Sequence, residues 1–250
     1  MRGRLVGLPA HENRSQGETL ERKPYLSEMD VAAAFRYFRA RKELNEVILS
    51  GGDPLIAPQP YLTQIVTGLG QLQTEGTLDF VRLHTRAPIT NPSVLKPWHF
   101  ALVARLGNPF VVFHINHPAE ITPEVQVLVK DFRSAGATVL SQSVLLKGVN
   151  DSLETLGELF LSLTRAGIRP YYLHHNDPVY WAADFTVPVK QAVHLWQTLR
   201  PRLSGIAATA KFVIDTPYGH GKVPFPEGRW EPDLTHFYDF KKRRRTLVNG

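Results

Sequence analysis

Short β-type runs recur along this chain, with helix-type stretches between them. The runs begin 28 to 42 residues apart, near Glu46, Phe80, Phe110, Thr138, Arg169 and Lys211. Strands that alternate with helices at this spacing form βα units, and such units build a parallel sheet. A length of 250 residues suits one domain of α/β-barrel size. The sequence therefore predicts an α/β fold with a closed or partly closed parallel sheet.

Cap and stop residues place several helices between these runs. Ser27, followed three residues later by Asp30, is the pattern of a capping box. Thr122 and the residues after it predict a helix that stops at Gly136, and a further helix is expected over 150–167. Residues 1–26 are polar and rich in Gly and Pro, so they are predicted to be a loop.

Polar residues follow each of the six predicted strands. They are Ser50 to Asp53, His84 to Arg86, His114 to His117, Ser141 to Ser143, His174 to Asp177, and Asp215. A parallel sheet collects the carboxyl ends of its strands at one edge, which is where barrel enzymes keep their active sites. No single residue in this set is diagnostic, but together they predict a ligand site at that edge.

Composition narrows the classes of function. The net charge is +6, and the basic run 241–245 supplies +5 of it, so nucleic-acid binding is not expected. No apolar run is long enough for a membrane helix, and the N-terminus lacks the apolar core of a signal peptide. The expectation is a cytoplasmic protein that does not bind membranes, and a homo-oligomer is compatible with this composition. The chain contains no cysteine, so it can form neither a disulfide nor a thiolate metal site.

One lysine stands in an unusual setting. An apolar run ends in Asp215, and a segment rich in Gly and Pro leads on to Lys222. Gly219 and Gly221 allow backbone conformations that other residues avoid. Lys222 is therefore predicted to lie on a shaped loop beyond a strand end, where it could form a Schiff base with a carbonyl compound or pyridoxal phosphate. The alternative is an ordinary surface lysine in a Gly-rich loop.

The segment Ser50 to Asp53 is a second candidate site. Its two glycines follow a strand and can expose backbone N–H and C=O groups to the polar end of a ligand. A plain tight turn is the alternative. No Gly-Lys-Ser/Thr follows, so the segment does not match a nucleoside triphosphate loop.

Several long motifs occur in an order and at a spacing that resemble one known family. They cover residues 47–54, 86–88, 114–122, 142–151, 169–173, 177 and 215–222. Together they resemble the lysine 2,3-aminomutase family of radical S-adenosylmethionine enzymes, over residues 2–226. The resemblance implies a partial (β/α) TIM-like barrel of the radical S-adenosylmethionine type. It also implies an isomerase that moves the amino group of an amino acid from carbon 2 to carbon 3.

The resemblance implies three cofactors: pyridoxal 5′-phosphate, S-adenosylmethionine and a [4Fe-4S] cluster that needs an electron donor. Lys222 matches the catalytic lysine that holds pyridoxal phosphate. Family positions around S-adenosylmethionine match Ser50, Gly51, Gly52, Asp53, His114 and Gln142.

The resemblance also implies substrate contacts. Asp177 and Asp215 match two acids that hold the side-chain ammonium of lysine, and Arg2 matches the arginine that binds its carboxylate. Carboxylates suit a cation that must be fixed away from the reacting centre. The expected small-molecule partner is therefore an amino acid, most simply L-lysine.

The sequence departs from the family at its start. The family's CxxxCxxC cluster motif and first barrel strand would precede Arg2, and Ser152 stands where some members have a zinc-binding cysteine. We expect no metal site in this chain and no radical chemistry from it as written. The predicted divisions are a loop segment over 1–26, a partial barrel lacking its first strand over 27–226, and a basic tail over 227–250.

Other functions remain open on the sequence. A cluster-free pyridoxal phosphate protein, or a Schiff-base lyase or aldolase, would need only Lys222 and a barrel face. A relative that makes β-lysine for attachment to a translation factor is a further alternative. The resemblance implies that this group lacks the acid at the position of Asp215, so this residue counts against it.

Overall fold

A computed structural model describes residues 6–7, 25–177, 180–216, 221–225, 231, 235–238 and 242–246. The chain divides into two compact units, one of residues 1–113 and 127–139 and the other of residues 114–126 and 140–250. Within the described ranges, no helix is long and apolar enough to cross a membrane.

The helices and strands alternate along the chain. The helices are α1 (Glu28–Arg39), α2 (Gln59–Thr74), α3 (Ala87–Thr90), α4 (Pro97–Val103), α5 (Pro123–Ser134), α6 (Leu153–Arg165) and α7 (Val189–Leu199). The strands are β1 (Val6–Gly7), β2 (Glu46–Ser50), β3 (Phe80–Thr85), β4 (Pro109–His114), β5 (Thr138–Leu145), β6 (Arg169–His175), β7 (Lys211–Thr216), β8 (Gly221–Pro224), β9 (His236–Tyr238) and β10 (Arg244–Thr246).

The first unit holds parallel strands joined by helices. β1 pairs with β2, β2 with β3 and β3 with β4, all in parallel. The side chains of β2 and β3 carry a two-pronged ion pair, in which Arg82 Nε and Nη2 lie 2.6 and 3.0 Å from the two carboxylate oxygens of Glu46. Parallel pairing makes the carboxyl ends of β2 and β3 neighbours, so Ser50 and Thr85 lie at the same edge.

The second unit combines parallel strands with one antiparallel strand. β5 pairs with β6 and β6 with β7 in parallel, whereas β8 returns antiparallel along β7. Helices α6 and α7 meet at the tilted rings of Phe160 and Trp196, whose centroids lie 5.6 Å apart. The ring of Trp196 also packs against Phe212 of β7, with the centroids 6.2 Å apart. All three rings are buried. This apolar layer fixes β7, and therefore the position of its last residues.

The predicted class, an α/β partial (β/α) barrel, is confirmed by this alternation of parallel strands and helices. Five of the six predicted strands begin at the residue that the sequence indicated. The exception is β4, which begins one residue earlier than predicted, at Pro109. Ser27 and Asp30 form the expected capping box. Helix α5 ends at Ser134, just before Gly136, whose φ of 84° is left-handed.

Some element boundaries differ from the sequence prediction. The fifth strand continues to Leu145, so Ser141 to Ser143 lie inside it rather than beyond its end. Helix α6 begins at Leu153, later than predicted, because Ser152 is its cap and accepts a hydrogen bond from Thr155 N at 3.1 Å. In the segment predicted to be a loop, Val6–Gly7 adds a short parallel strand beside β2.

Candidate functional site

The second unit brings Lys222 and Asp215 into direct contact. They are opposite each other in the antiparallel β7–β8 pair, so their side chains stand on the same face. Lys222 Nζ lies 2.8 Å from Oδ1 and 2.7 Å from Oδ2 of Asp215. Gly221, with a φ of 92°, is the left-handed residue that begins β8 immediately before the lysine. Lys222 remains 40% exposed, so a small molecule can reach its amine.

A buried histidine completes this contact. His174, on β6, lies next to β7, and its Nδ1 is 3.0 Å from Asp215 Oδ2. Because a carboxylate only accepts hydrogen bonds, Nδ1 carries the proton and donates it. His174 is 6% exposed, and its Nε2 has no hydrogen-bond partner within the described residues. The carboxylate of Asp215 is therefore gripped by His174 on one side and Lys222 on the other.

Two acids of this cluster have opposite pKa shifts. Burial alone would raise the pKa of Asp215, but hydrogen bonds from His174 and Lys222 outweigh it and hold that pKa below the ordinary value of 3.8. The pKa of Asp177 is raised, first by loss of hydration and then by the negative charge of Asp215. Asp177 still reaches solvent, so its loss of hydration is partial. Two carboxylates thus share one neighbourhood, which suits a ligand cation.

The residues beside Asp177 tie the end of β6 to the segment after it. His175 Nε2 lies 2.8 Å from Val187 O, and Asn176 Nδ2 donates to Ala182 O at 2.8 Å. Tyr172, two residues before His174 on the same strand, places its ring 5.8 Å from Lys222 Nζ. These contacts hold the acid at a fixed strand end beside the lysine.

The first unit holds the second predicted ligand segment. β2 ends at Ser50, and both following glycines are left-handed, with φ of 92° at Gly51 and 56° at Gly52. Only glycine adopts this conformation without strain at two successive positions, so the backbone turns sharply there. The N–H groups of a turn of this kind can bind the polar end of a ligand.

Asp53 has a different environment from the one its predicted role suggests. Its carboxylate accepts hydrogen bonds from Leu55 N at 3.0 Å, Arg86 N at 2.7 Å and Ala87 N at 2.8 Å, and also from the hydroxyl of Thr85 at 2.8 Å. The acid therefore fastens the Ser50–Gly52 turn to the end of β3. Its role in binding S-adenosylmethionine stays a prediction, and these contacts favour an indirect one.

The remaining predicted ligand residues lie in the second unit or outside the described residues. His114 ends β4, and Gln142 lies within β5 beside a register irregularity that follows Ser141. Ile115, the residue after His114, donates from its backbone N to Gln142 O at 3.0 Å, so the chain next to His114 adjoins Gln142. Arg2 lies outside the described residues, and so do Pro217 and Gly219.

The structure corrects the setting of Lys222 and adds one residue to the site. Lys222 belongs to strand β8 and not to a loop, because Gly221 lets the chain turn back and pair with β7. His174 was one of several polar residues at the end of β6, and nothing local distinguished it. Only the β6–β7 pairing, which places it against Asp215, reveals its part in the cluster.

The residues present fit some of the expected groups. A reachable amine that is oriented by a hydrogen-bonded carboxylate fits covalent attachment of pyridoxal phosphate at Lys222. The left-handed Gly51–Gly52 turn fits the polar end of S-adenosylmethionine. An iron–sulfur cluster does not fit, because the sequence has no cysteine, and the described residues hold no group of three or more candidate metal ligands.

Comparison with known proteins gives relatives of one name. The chain is 38% identical over 173 residues to L-lysine 2,3-aminomutase of Escherichia coli, covering 69% of this chain and 50% of the relative. It is 37% identical over 191 residues to that of Buchnera aphidicola, covering 76% and 55%. With that of Clostridium subterminale it shares 32% over 194 residues, covering 78% and 46%. The chain thus spans about half the length of these curated relatives.

Two further comparisons add less. No family model matches the chain. A radical SAM methyltransferase from Sphaerobacter thermophilus aligns with a TM-score of 0.48 and 21% identity, covering 74% of this chain and 56% of that structure. The sequence relatives share one name, and each matches most of this chain. The chain belongs to the lysine 2,3-aminomutase family.

Proposed function

We propose that this chain carries the pyridoxal phosphate and substrate residues of an amino-acid 2,3-aminomutase that acts on L-lysine. The contact between Lys222 and Asp215, with Asp177 in the same neighbourhood, carries this proposal. It unites an amine that can hold the cofactor with two carboxylates that can hold the substrate's distant ammonium. A substrate with an acidic side chain would need a cation in their place. The names of the relatives support the same substrate.

The chain's own residues have separate tasks in this proposal. Lys222 Nζ would hold the cofactor through its aldehyde carbon, and the bound group would supply a conjugated system that spreads the electrons of a neighbouring reacting centre. Asp215 holds a cation with an ionised carboxylate, which His174 orients by donating from Nδ1. Asp177 supplies the second carboxylate. Fixing the far end of the substrate in this way orients its carbons 2 and 3 toward the cofactor.

S-adenosylmethionine is the second group in the proposal. The Ser50–Gly52 turn, His114 and Gln142 are the proposed contacts, and Asp53 acts indirectly by fastening that turn. We derive no step through the iron–sulfur cluster, because this sequence offers it no thiolate.

The first test is attachment of the cofactor. The chain incubated with pyridoxal phosphate should develop an absorbance band near ~420 nm that borohydride abolishes, as expected for a carbon–nitrogen double bond to lysine. Lys222→Ala should lack the band. Lys211→Ala is the matched control, because Lys211 is an exposed lysine at the start of β7. A band that persists in Lys222→Ala would contradict the proposed role of Lys222.

A cluster-free pyridoxal phosphate protein is the second candidate. The observation in its favour is that the sequence has no cysteine to bind a cluster and yet has Lys222 paired with Asp215. Both candidates predict the same absorbance band, and they differ in turnover without iron. An iron-independent change in L-lysine would support the second candidate, and its absence in a chain that shows the band would support the first.

A further inference from the structure

In this structure Lys222, which is proposed to bind the cofactor, forms an ion pair with Asp215, which is proposed to bind the substrate's ammonium. Lys222 Nζ contacts both carboxylate oxygens of Asp215, at 2.8 and 2.7 Å, and Oδ2 also accepts from His174 at 3.0 Å. An ionised carboxylate accepts about four hydrogen bonds in all. The two oxygens therefore already face one ammonium and one imidazole.

A second ammonium cannot join this arrangement at low cost. It would have to share oxygens with Lys222, a few ångströms from a like charge, in a site where Asp215 is only 35% exposed and poorly screened. The negative side of the cluster consists of two carboxylates, Asp215 and Asp177. On the positive side, among the described residues, the lysine that acts on these acids is Lys222. Removing that charge leaves the acids in need of another cation.

We propose that, until Lys222 carries a cofactor, its ammonium occupies the carboxylate of Asp215 and excludes the side-chain ammonium of an amino-acid ligand. Attachment of an aldehyde forms a carbon–nitrogen double bond at Nζ and expels the aldehyde oxygen, together with two hydrogens of the ammonium, as water. Nζ then keeps at most one hydrogen and can no longer donate to both oxygens of Asp215. The vacated carboxylate, still held by His174, accepts the ligand's cation.

This inference rests on the proposed function, because it takes Asp215 as the substrate-ammonium seat. It adds an order of events that the function alone does not require, since cofactor loading precedes tight substrate binding. Reciprocal coupling follows, in that a cation on Asp215 favours the loaded form of Lys222 by the same factor. A coupling of this type is commonly worth between about 5-fold and 150-fold.

The test uses the cofactor-free chain and calorimetric titration with L-lysine. Lys222→Met removes the ammonium while keeping a long side chain, and it should bind L-lysine at least about tenfold more tightly than the unaltered chain. L-norleucine, which lacks the terminal ammonium, should show no such gain. Lys211→Met is the matched control for the loss of one positive charge, and it should bind L-lysine as the unaltered chain does.

A double variant tests whether Asp215 is the residue that binds the side-chain ammonium of L-lysine. Adding Asp215→Asn to Lys222→Met should abolish the gain. The proposal is overturned if Lys222→Met, shown by circular dichroism to be folded, binds L-lysine no better than the unaltered chain. It is also overturned if norleucine gains equally or if the double variant keeps the gain. Failure of the proposed function is a different result, absence of the ~420 nm band, because the titration uses no cofactor.

Discussion

Two aspartates of one cluster experience opposite electrostatic surroundings. Asp215 is ionised at little cost because His174 and Lys222 donate to it, whereas Asp177 is partly dehydrated and faces the charge of Asp215. A lowered folded-state pKa means that ionisation of Asp215 stabilises the fold, and a raised one means that ionisation of Asp177 opposes it. Ionisation of Asp177 therefore lowers the free energy of unfolding, and such a cost is expected at a carboxylate whose function is to bind a ligand cation.

Exchange of each acid for its amide should therefore change stability in opposite directions. At pH 7 we expect Asp215→Asn to lower the free energy of unfolding and Asp177→Asn to raise it, the latter by less than about 1 kcal/mol because Asp177 reaches solvent. Urea denaturation at a series of pH values measures both.

The pH profiles of the two variants should also differ. The stabilisation by Asp215 is present above 3.8 and is lost as the pH falls through its lowered folded-state pKa, so the deficit of Asp215→Asn shrinks there. The cost of Asp177 is present above its raised pKa and disappears as the pH falls from that value to 3.8. Destabilisation by Asp177→Asn at pH 7 would show that this carboxylate is already neutralised in the folded chain.

At the scale of elements, the return of β8 along β7 builds the site. The pairing of Thr216 with Gly221 begins it, and Thr216 Oγ1 donates to Gly221 O at 2.7 Å. The φ of 92° at Gly221 favours glycine, while no atom of the described residues lies within 4 Å of an added Cβ. The cost of a side chain at this position is therefore backbone strain and not a clash.

Gly221→Ala should destabilise the chain by about 1–2 kcal/mol and weaken attachment of pyridoxal phosphate at Lys222, because the strain falls on the residue before it. Gly205→Ala is the matched control. It also has open space for a Cβ, but no left-handed φ, so it should change stability by less than about 0.5 kcal/mol. Urea denaturation and the ~420 nm band measure the two effects. Equal stability of the two variants would contradict this account of the turn.

Local sequence predicted the elements better than the site. Strand starts and the Ser27 cap depend on neighbouring residues, so they could be found by pattern, and the motifs around Lys222, Asp177 and Asp215 were recognisable by resemblance. The contact between His174 and Asp215 could not be found in this way, because it depends on β6 pairing with β7. The strand setting of Lys222 was missed for the same reason, since its antiparallel partner is defined only in the folded chain.

At the scale of the whole molecule, the proposed ligand residues are divided between the two units. The second unit holds Lys222, Asp215, Asp177, His174, His114 and Gln142, and the hydrogen bonds that Asp215 accepts from Lys222 and His174 lie within it. The Ser50–Gly52 turn and Asp53 belong to the first unit. Cofactor attachment and lysine binding should consequently be measurable on this chain whether or not it holds an iron–sulfur cluster.

That separation yields a prediction about metal loading. Anaerobic incubation of the 250-residue chain with iron and sulfide should give no [4Fe-4S] signal in Mössbauer and electron paramagnetic resonance spectra, because the sequence has no cysteine thiolate. These methods are preferred to absorbance, in which pyridoxal phosphate overlaps the cluster. A cysteine-bearing iron–sulfur protein treated in parallel checks the procedure.

The 250-residue chain from this incubation should still form the borohydride-sensitive ~420 nm band, because Lys222 and its acids do not depend on iron. A cluster signal would mean that other side chains can replace thiolates, and loss of the band together with iron would mean that cofactor attachment and metal binding are coupled.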